Sequence, residues 1–297
     1  MGFVDEIEKT GFTRILSEQP MKKLTSLGVG GVSRFYAEAD SLCSLNQLIT
    51  IARKHKVKYK VIGNGTNLLV SDNGFDGLIV CTKKLSDVFF KRNQVKAMAG
   101  ADLSKLIKFA VEHELSGCER LNGIPATVGG AVVMNASAFG QTISDRIVEV
   151  ETLEKGKIKK YFKNQCLFSY RSSRFKANGQ VVVSATFDFQ PSDKDRLINE
   201  LALTIERRKK IHPTGRSCGS VFKNPTPNSA GALIERAGLK GLTIGGATIS
   251  EKHGNFIITS SSATATDVKN LIEHVKDKVY NAFGITLEEE VEYVGEF

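Results

Sequence analysis

Leu45, Leu48, Ile49 and Ala52 return at intervals of three and four, the spacing of one helix face, whereas Val57, Tyr59 and Val61 alternate as strand residues do. A helix and then a strand are therefore predicted, leading into the glycine-rich loop Gly63-Asn64-Gly65-Thr66-Asn67. Beyond it, Leu68-Leu69-Val70, the turn Asp72-Asn73-Gly74 and the apolar run Leu78-Ile79-Val80 read as a hairpin. These elements make a first unit, residues 1–82.

A second unit, residues 83–205, opens with strands around Val88 to Ala97. A helix follows whose apolar stripe is Leu103, Leu106, Ile107, Ala110 and Val111, stopped near Gly117. Val148 to Leu153, Lys157 to Phe162 and Val181 to Phe189 read as strands of one sheet. Ser192, with Asp195 three residues later, is expected to start a helix that buries Leu197, Ile198, Leu201 and Ile205. The third unit, residues 206–297, carries a helix with Val268, Leu271, Ile272, Val275 and Val279 that Gly284 terminates. Its last strand, Ile285 to Val294, holds Glu288, Glu289 and Glu290 in a row. Helices and strands mixed in this way predict an α+β fold rather than a single barrel or a doubly wound sheet.

Lysine plus arginine exceed aspartate plus glutamate by 41 − 32 = 9. The mean field attracts anions without choosing between nucleic acid, nucleotide and phosphosugar. The densest basic run, Arg207-Arg208-Lys209-Lys210, has no interleaved aromatics and reads as cations complementing a helix C-terminus. No stretch of about 18 apolar residues occurs, and the opening residues lack a secretory run, so a cytoplasmic protein with no membrane and no nucleic-acid partner is expected. Cysteines at 43, 81, 118, 166 and 218 form no CxxC pair and have no histidine at metal spacing. They are expected to be reduced thiols, with no metal site.

Three clusters of small residues remain to be explained. Gly28-Val29-Gly30-Gly31 has the look of a dinucleotide fingerprint, but the strand before it and the long helix after it are missing. In 63–67 and 123–130 the backbone N–H groups are unobstructed by side chains, so each segment could form an anion nest, and two nests could clamp one diphosphate. Ordinary tight turns are the other reading, and the residues alone leave both open. Asn67 and Asn135 add side-chain amides able to bond ribose or ring heteroatoms.

Leu27-Gly28-Val29-Gly30-Gly31, Gly63-Asn64-Gly65-Thr66-Asn67-Leu68-Leu69 and Gly123-Ile124-Pro125-Ala126-Thr127-Val128-Gly129-Gly130 together resemble the FAD-binding half of the UDP-N-acetylenolpyruvoylglucosamine reductase family. Tyr170-Arg171-Ser172-Ser173-Arg174-Phe175-Lys176, Cys218-Gly219-Ser220-Val221-Phe222-Lys223-Asn224-Pro225 and Leu287-Glu288-Glu289-Glu290-Val291 carry the resemblance to the C-terminus, in the family's order. It implies an α+β fold with a two-part FAD-binding region of the vanillyl-alcohol-oxidase type, then a smaller α+β substrate-binding domain. The chain resembles the short type, which lacks a substrate-covering insertion.

The resemblance also implies chemistry: NADPH reduces a non-covalently bound FAD, and the enolpyruvyl ether of a UDP-sugar is then reduced to UDP-N-acetylmuramate in peptidoglycan precursor synthesis. The flavin contacts it implies are Gly63, Asn64, Gly65, Thr66, Asn67, Leu68, Gly123, Ile124, Pro125, Thr127, Val128, Gly129, Gly130, Ala131 and Asn135. Tyr170, Lys223 and Asn224 are implied as substrate contacts, and Arg171, Ser220 and Glu290 as catalytic residues. The residue types suit the task. A guanidinium stays charged and can pair with a carboxylate through two parallel bonds, which suits Arg171 to a developing enolate. The Ser220 hydroxyl would give the proton, with Lys223 as the neighbour that stabilises the alkoxide left behind. Glu290 is expected to work protonated, through burial or nearby negative charge, or to orient a water. Ala126, Glu289 and His212 depart from the family's usual glycine, proline and glutamine. A monomer is expected. Two rival readings remain: a nucleotide- or nucleic-acid-binding module without catalysis, and a flavin oxidase acting on an alcohol.

Overall fold

The stripe at 45–52 lies on a helix, Leu42–Lys54, in the computed structural model, which describes residues 2–11 and 13–297. Leu45, Leu48, Ile49 and Ala52 are all buried. Ser41 caps this helix, its Oγ accepting the Ser44 N–H at 3.1 Å while Ser44 Oγ accepts the Ser41 N–H at 3.1 Å. The chain divides into two units, Met1–Leu16 with Tyr36–Asn64 and Gly77–Arg208, and Ser17–Phe35 with Gly65–Asp76 and Lys209–Phe297. The boundary falls inside the strands Ile15–Pro20, Val32–Glu38 and Phe75–Cys81 and the helix Lys194–Ile211.

In the first unit a five-stranded sheet runs in the order Lys157–Phe162, Ile147–Glu154, Val181–Asp188, Gln94–Met98, Val88–Lys91, with every neighbour antiparallel. Its outer strand exposes Lys157, Lys159 and Lys160, charges that discourage edge-to-edge pairing. On it packs the helix Leu103–Glu112, whose Leu103, Leu106 and Ile107 are fully buried, each worth about 1.5–3 kcal/mol of transfer free energy. The short helix Val128–Val133 joins the same core through Val128, Ala131 and Val132. Tyr59–Ile62 pairs in parallel with Phe75–Cys81.

The second unit is built on the helix Ala265–Phe283, whose Val268, Leu271, Ile272, Val275 and Val279 are buried and which Gly284 ends in the left-handed conformation. That helix packs against an antiparallel sheet of Thr243–Ile244, Ala247–Ile249 and Ile257–Thr259. Asp72 secures its start, one carboxylate oxygen accepting the Ala265 N–H at 2.8 Å and the other the Thr266 N–H at 2.9 Å.

Four local expectations are corrected. Leu68–Val70 is not one arm of a hairpin: it pairs in parallel with Glu292–Val294, more than 200 residues along the chain. The last strand is shorter than Ile285 to Val294, because only Glu292–Val294 finds a ladder partner beyond one isolated bridge. The helix Lys194–Ile211 is capped by Asp193, whose carboxylate accepts the Arg196 N–H at 2.8 Å, rather than by Ser192. Ile198 on that helix is 48% exposed, while Thr204 is buried in its place.

Candidate active site

In the first unit the loop residues Gly63 and Asn64 lie against the segment 123–130. A Cβ on Gly63 would overlap Thr127 Oγ1, so the close approach requires glycine. Asn64 Nδ2 donates to Asp102 Oδ1 at 2.9 Å and to the Pro125 carbonyl at 3.3 Å. Thr127 is buried and its Oγ1 accepts the Gly130 N–H at 3.4 Å, opening the helix Val128–Val133. The nest expected here does not form from these donors. Val128 N–H donates to Ala101 O and Gly129 N–H to Ala99 O, each at 2.8 Å, and Ala131 N–H donates to Thr127 O at 2.9 Å. Gly129 is required by packing instead, since a Cβ would come within 2.8 Å of Ala99 Cβ.

Gly130 has no such requirement. It lies inside a helix, is exposed, and a Cβ there would meet nothing nearer than Thr127 Oγ1 at 3.5 Å. Glycine in a helix interior costs about 0.5–1 kcal/mol relative to alanine, and neither packing nor backbone conformation asks for it at 130. The bare backbone at exposed Gly130, with Gly123 and Pro125 of the same segment also exposed, suits the close approach of a flat ring or a phosphate, so the residues present fit FAD.

Two flanking groups keep this surface in place. Arg208 Nε donates to the Asn122 carbonyl at 2.7 Å and Nη2 to the Arg120 carbonyl at 3.2 Å. The basic run thus uses one of its members to fasten the segment before Gly123, rather than to serve its own helix end. Asn135, buried and left-handed at φ 47°, donates from Nδ2 to the Ser169 carbonyl at 2.9 Å. Ser169 and Ser172 exchange backbone hydrogen bonds at 3.1 and 3.2 Å, which puts Tyr170 and Arg171 at the tip of a tight turn. Arg171 is left-handed too, at φ 53°, a strain of about 1 kcal/mol or more held at a candidate functional residue. Its Nη1 donates to Ser137 O at 3.2 Å and Ser137 Oγ at 3.0 Å, and its guanidinium lies 5.5 Å from the centre of the exposed Tyr170 ring.

In the second unit Ser220 and Glu290 are brought onto adjacent stretches of backbone. Glu290 N–H donates to the Val221 carbonyl at 2.7 Å, and Lys223 N–H to the Glu288 carbonyl at 2.8 Å. Ser220 bridges to Phe256 on its other side, after Gly219 in the left-handed region at φ 79°. The buried Asn255 completes this frame: its Oδ1 accepts Phe222 N–H at 2.9 Å and its Nδ2 donates to Phe222 O at 2.8 Å. Sequence reasoning missed Asn255, whose only signal was a polar residue between a glycine and a phenylalanine. The Cys218 thiol is pushed up to about 12, by burial first and then by the negative field of Glu290.

Several of the expected site residues have partners within the protein. Lys223 makes an ion pair with the exposed Glu288. Glu289, which departs from the family pattern, is held by Lys276 at 2.9 Å on the helix Ala265–Phe283. Asn224 Oδ1 accepts the Ala230 N–H at 3.0 Å. Asn67 Nδ2 donates to the Glu290 carbonyl at 3.0 Å, so at least one of its donors serves the protein. His212 lies 5.0 Å from the Phe256 ring, tilted by 30°.

The comparisons with known proteins agree with one another. Residues 210–294 match the family model described as UDP-N-acetylenolpyruvoylglucosamine reductase, C-terminal domain, and residues 33–160 match an FAD binding domain. The UDP-N-acetylenolpyruvoylglucosamine reductase of Carboxydothermus hydrogenoformans is 41% identical over 295 residues, 98% of both chains. That of Caldanaerobacter subterraneus subsp. tengcongensis is 40% identical over 293 residues, 98% of this chain and 96% of the relative. The crystal structure of the Thermus caldophilus enzyme matches at a TM-score of 0.81 and 33% identity, covering 95% of this chain and 99% of that one. The fold is α+β, with an FAD-binding region. With two-fifths of its residues shared along its full length, the chain belongs to the UDP-N-acetylenolpyruvoylglucosamine reductase family and is an FAD-containing oxidoreductase.

Proposed function

We propose that this chain reduces the enolpyruvyl ether of UDP-N-acetylglucosamine to UDP-N-acetylmuramate, with NADPH as the source of electrons, in peptidoglycan precursor synthesis. The observation that carries the reading is the pairing of Glu290 with Val221, which sets an acid beside the residue that follows Ser220. When bound, FAD would supply the two-electron chemistry that links NADPH oxidation to reduction of the substrate double bond. The residues that would hold it are Gly123, Ile124, Pro125, Thr127 and Gly130, together with Gly63 and Asn64 of the neighbouring loop. Val128, Gly129, Ala131 and Asn135 support that surface from beneath, consistent with their burial.

Hydride arriving at the terminal carbon pushes negative charge onto the carbon that bears the carboxylate. Arg171 takes the role of cation for that charge, and its strained, pre-set turn is what a positioned group needs. Ser220 gives the proton to the same carbon. Glu290 contributes as a neutral carboxyl or through an oriented water, because an ionised carboxylate would oppose the charge that develops. Tyr170 and Asn224 line the sugar nucleotide. Lys223 offers its charge to the diphosphate by exchanging Glu288 for the substrate. The excess of nine positive charges suits three polyanionic ligands.

The protein acts as a monomer in the cytoplasm, which sedimentation and fractionation check. The decisive experiment follows NADPH absorbance with the enolpyruvyl UDP-sugar present and absent. Yellow protein whose NADPH oxidation depends on that sugar supports the reading. Colourless protein, or oxygen-driven turnover of a simple alcohol, sinks it.

A further inference from the structure

Glu290 hangs from a backbone held on both sides. Its N–H donates to Val221 O at 2.7 Å, and its carbonyl accepts from Asn67 Nδ2 at 3.0 Å. Two residues on, Glu292 N–H donates to Asn67 O at 2.9 Å, which opens the parallel pairing of Leu68–Val70 with Glu292–Val294. The ladder therefore starts after Glu290, and at Glu290 itself a side-chain amide supplies the donor that a neighbouring strand would otherwise give. With the N–H and the carbonyl both bound, rotation about the two soft backbone torsions of residue 290 is restrained, and its Cα–Cβ bond has one direction.

We propose that Asn67 is a positioning residue for Glu290: its Nδ2 sets the direction of the acid side chain, so a residue expected from sequence to touch flavin acts on the substrate step. Leucine or alanine at 67 would leave the Glu290 carbonyl without this donor. Aspartate would set a carboxylate oxygen against it. The inference rests on the reading that Glu290 acts in reduction of the substrate.

The test compares full-length, flavin-loaded wild type with Asn67→Asp, Asn67→Ser, Glu290→Gln and the double variant Asn67→Asp/Glu290→Gln. Stopped-flow absorbance follows flavin bleaching by NADPH and flavin recovery on adding the enolpyruvyl UDP-sugar. In Asn67→Asp we expect FAD retained, bleaching within about twofold of wild type, and recovery slowed about 30-fold. In the Glu290→Gln background the same change should slow recovery by less than about threefold, because a group already removed cannot be misdirected. Asn67→Ser, which keeps a shorter donor, should fall between, and it serves alone if the aspartate variant does not fold. Loss of FAD with equal slowing of both half-reactions would assign Asn67 to the flavin and overturn the inference. Multiplicative losses in the double variant would do the same. Wild-type recovery in Glu290→Gln would remove the reading beneath it. Slow recovery in Glu290→Gln with wild-type recovery in Asn67→Asp would remove the inference alone.

Discussion

Lys276 Nζ lies 2.9 Å from Glu289 Oε1, with the two side chains 27% and 18% exposed, and this contact separates Glu289 from its neighbour Glu290. The lysine is held above its ordinary range by that hydrogen bond first, and a second bond to Glu273 at 3.2 Å adds to it. A glutamate bound to a helix lysine is a structural group. Glu289→Gln should therefore cost stability, about 1 kcal/mol, while kcat stays within about twofold of wild type. Denaturant melts and steady-state kinetics on one preparation check both halves. A large loss of kcat with unchanged stability would mean that Glu289, not Glu290, is the acid.

Acid stability should depend on Glu151. Its side chain is 11% exposed, and burial alone would raise its carboxyl. Hydrogen bonds from Lys96 Nζ at 2.6 Å and Ser184 Oγ at 2.7 Å outweigh burial and hold it below the ordinary carboxylate range. A carboxyl depressed in the folded state contributes stability above its unfolded value and loses that contribution as pH falls through the folded one. Wild type should therefore lose Tm between pH 5 and pH 3 more steeply than Glu151→Gln, whose neutral amide cannot be protonated there. Parallel melting curves for the two proteins would contradict this.

Much of this was legible in the residues because periodicity reports burial. The stripe Leu103, Leu106, Ile107, Ala110, Val111 is the buried face of its helix, and the strands at 147–154, 157–162 and 181–188 do form one sheet. What periodicity cannot report is the partner. Leu68-Leu69-Val70 before Asp72-Asn73-Gly74 has every local sign of a hairpin arm, yet its ladder partner is Glu292–Val294. The same limit applies to Asn67, whose bond to Glu290 spans 223 residues. The glycines were legible as a cluster but not in their separate reasons. Gly63 and Gly129 are demanded by neighbouring side chains, while Gly130 is not.

Replacing Ser220 by alanine separates the two half-reactions. The residue lies between Gly219 and Val221 on backbone fixed by Asn255 and Phe256, so the methyl group should leave the frame intact. Flavin bleaching by NADPH should be unchanged within about twofold, and recovery with the enolpyruvyl UDP-sugar should fall by roughly 100-fold or more, the usual scale for loss of a general acid. Equal slowing of both steps would deny Ser220 the role of proton donor.

Gly130 offers a test in which fold and ligand pull in opposite directions. Alanine there meets no atom nearer than 3.5 Å and enters a helix interior, so the protein stripped of flavin should gain about 0.5–1 kcal/mol. If the bare surface at 130 receives FAD, the same methyl group must stand between the backbone and the ligand, and FAD should bind at least about tenfold more weakly, a loss of ~1.4 kcal/mol. Gly63→Ala gives the contrast, because its Cβ would overlap the buried Thr127 and should destabilise the flavin-free protein as well, by about 1–3 kcal/mol. Fluorescence titration of FAD into each stripped variant, paired with its melting temperature, reads both quantities. A Gly130→Ala protein that binds FAD as wild type does would move the cofactor surface away from this helix.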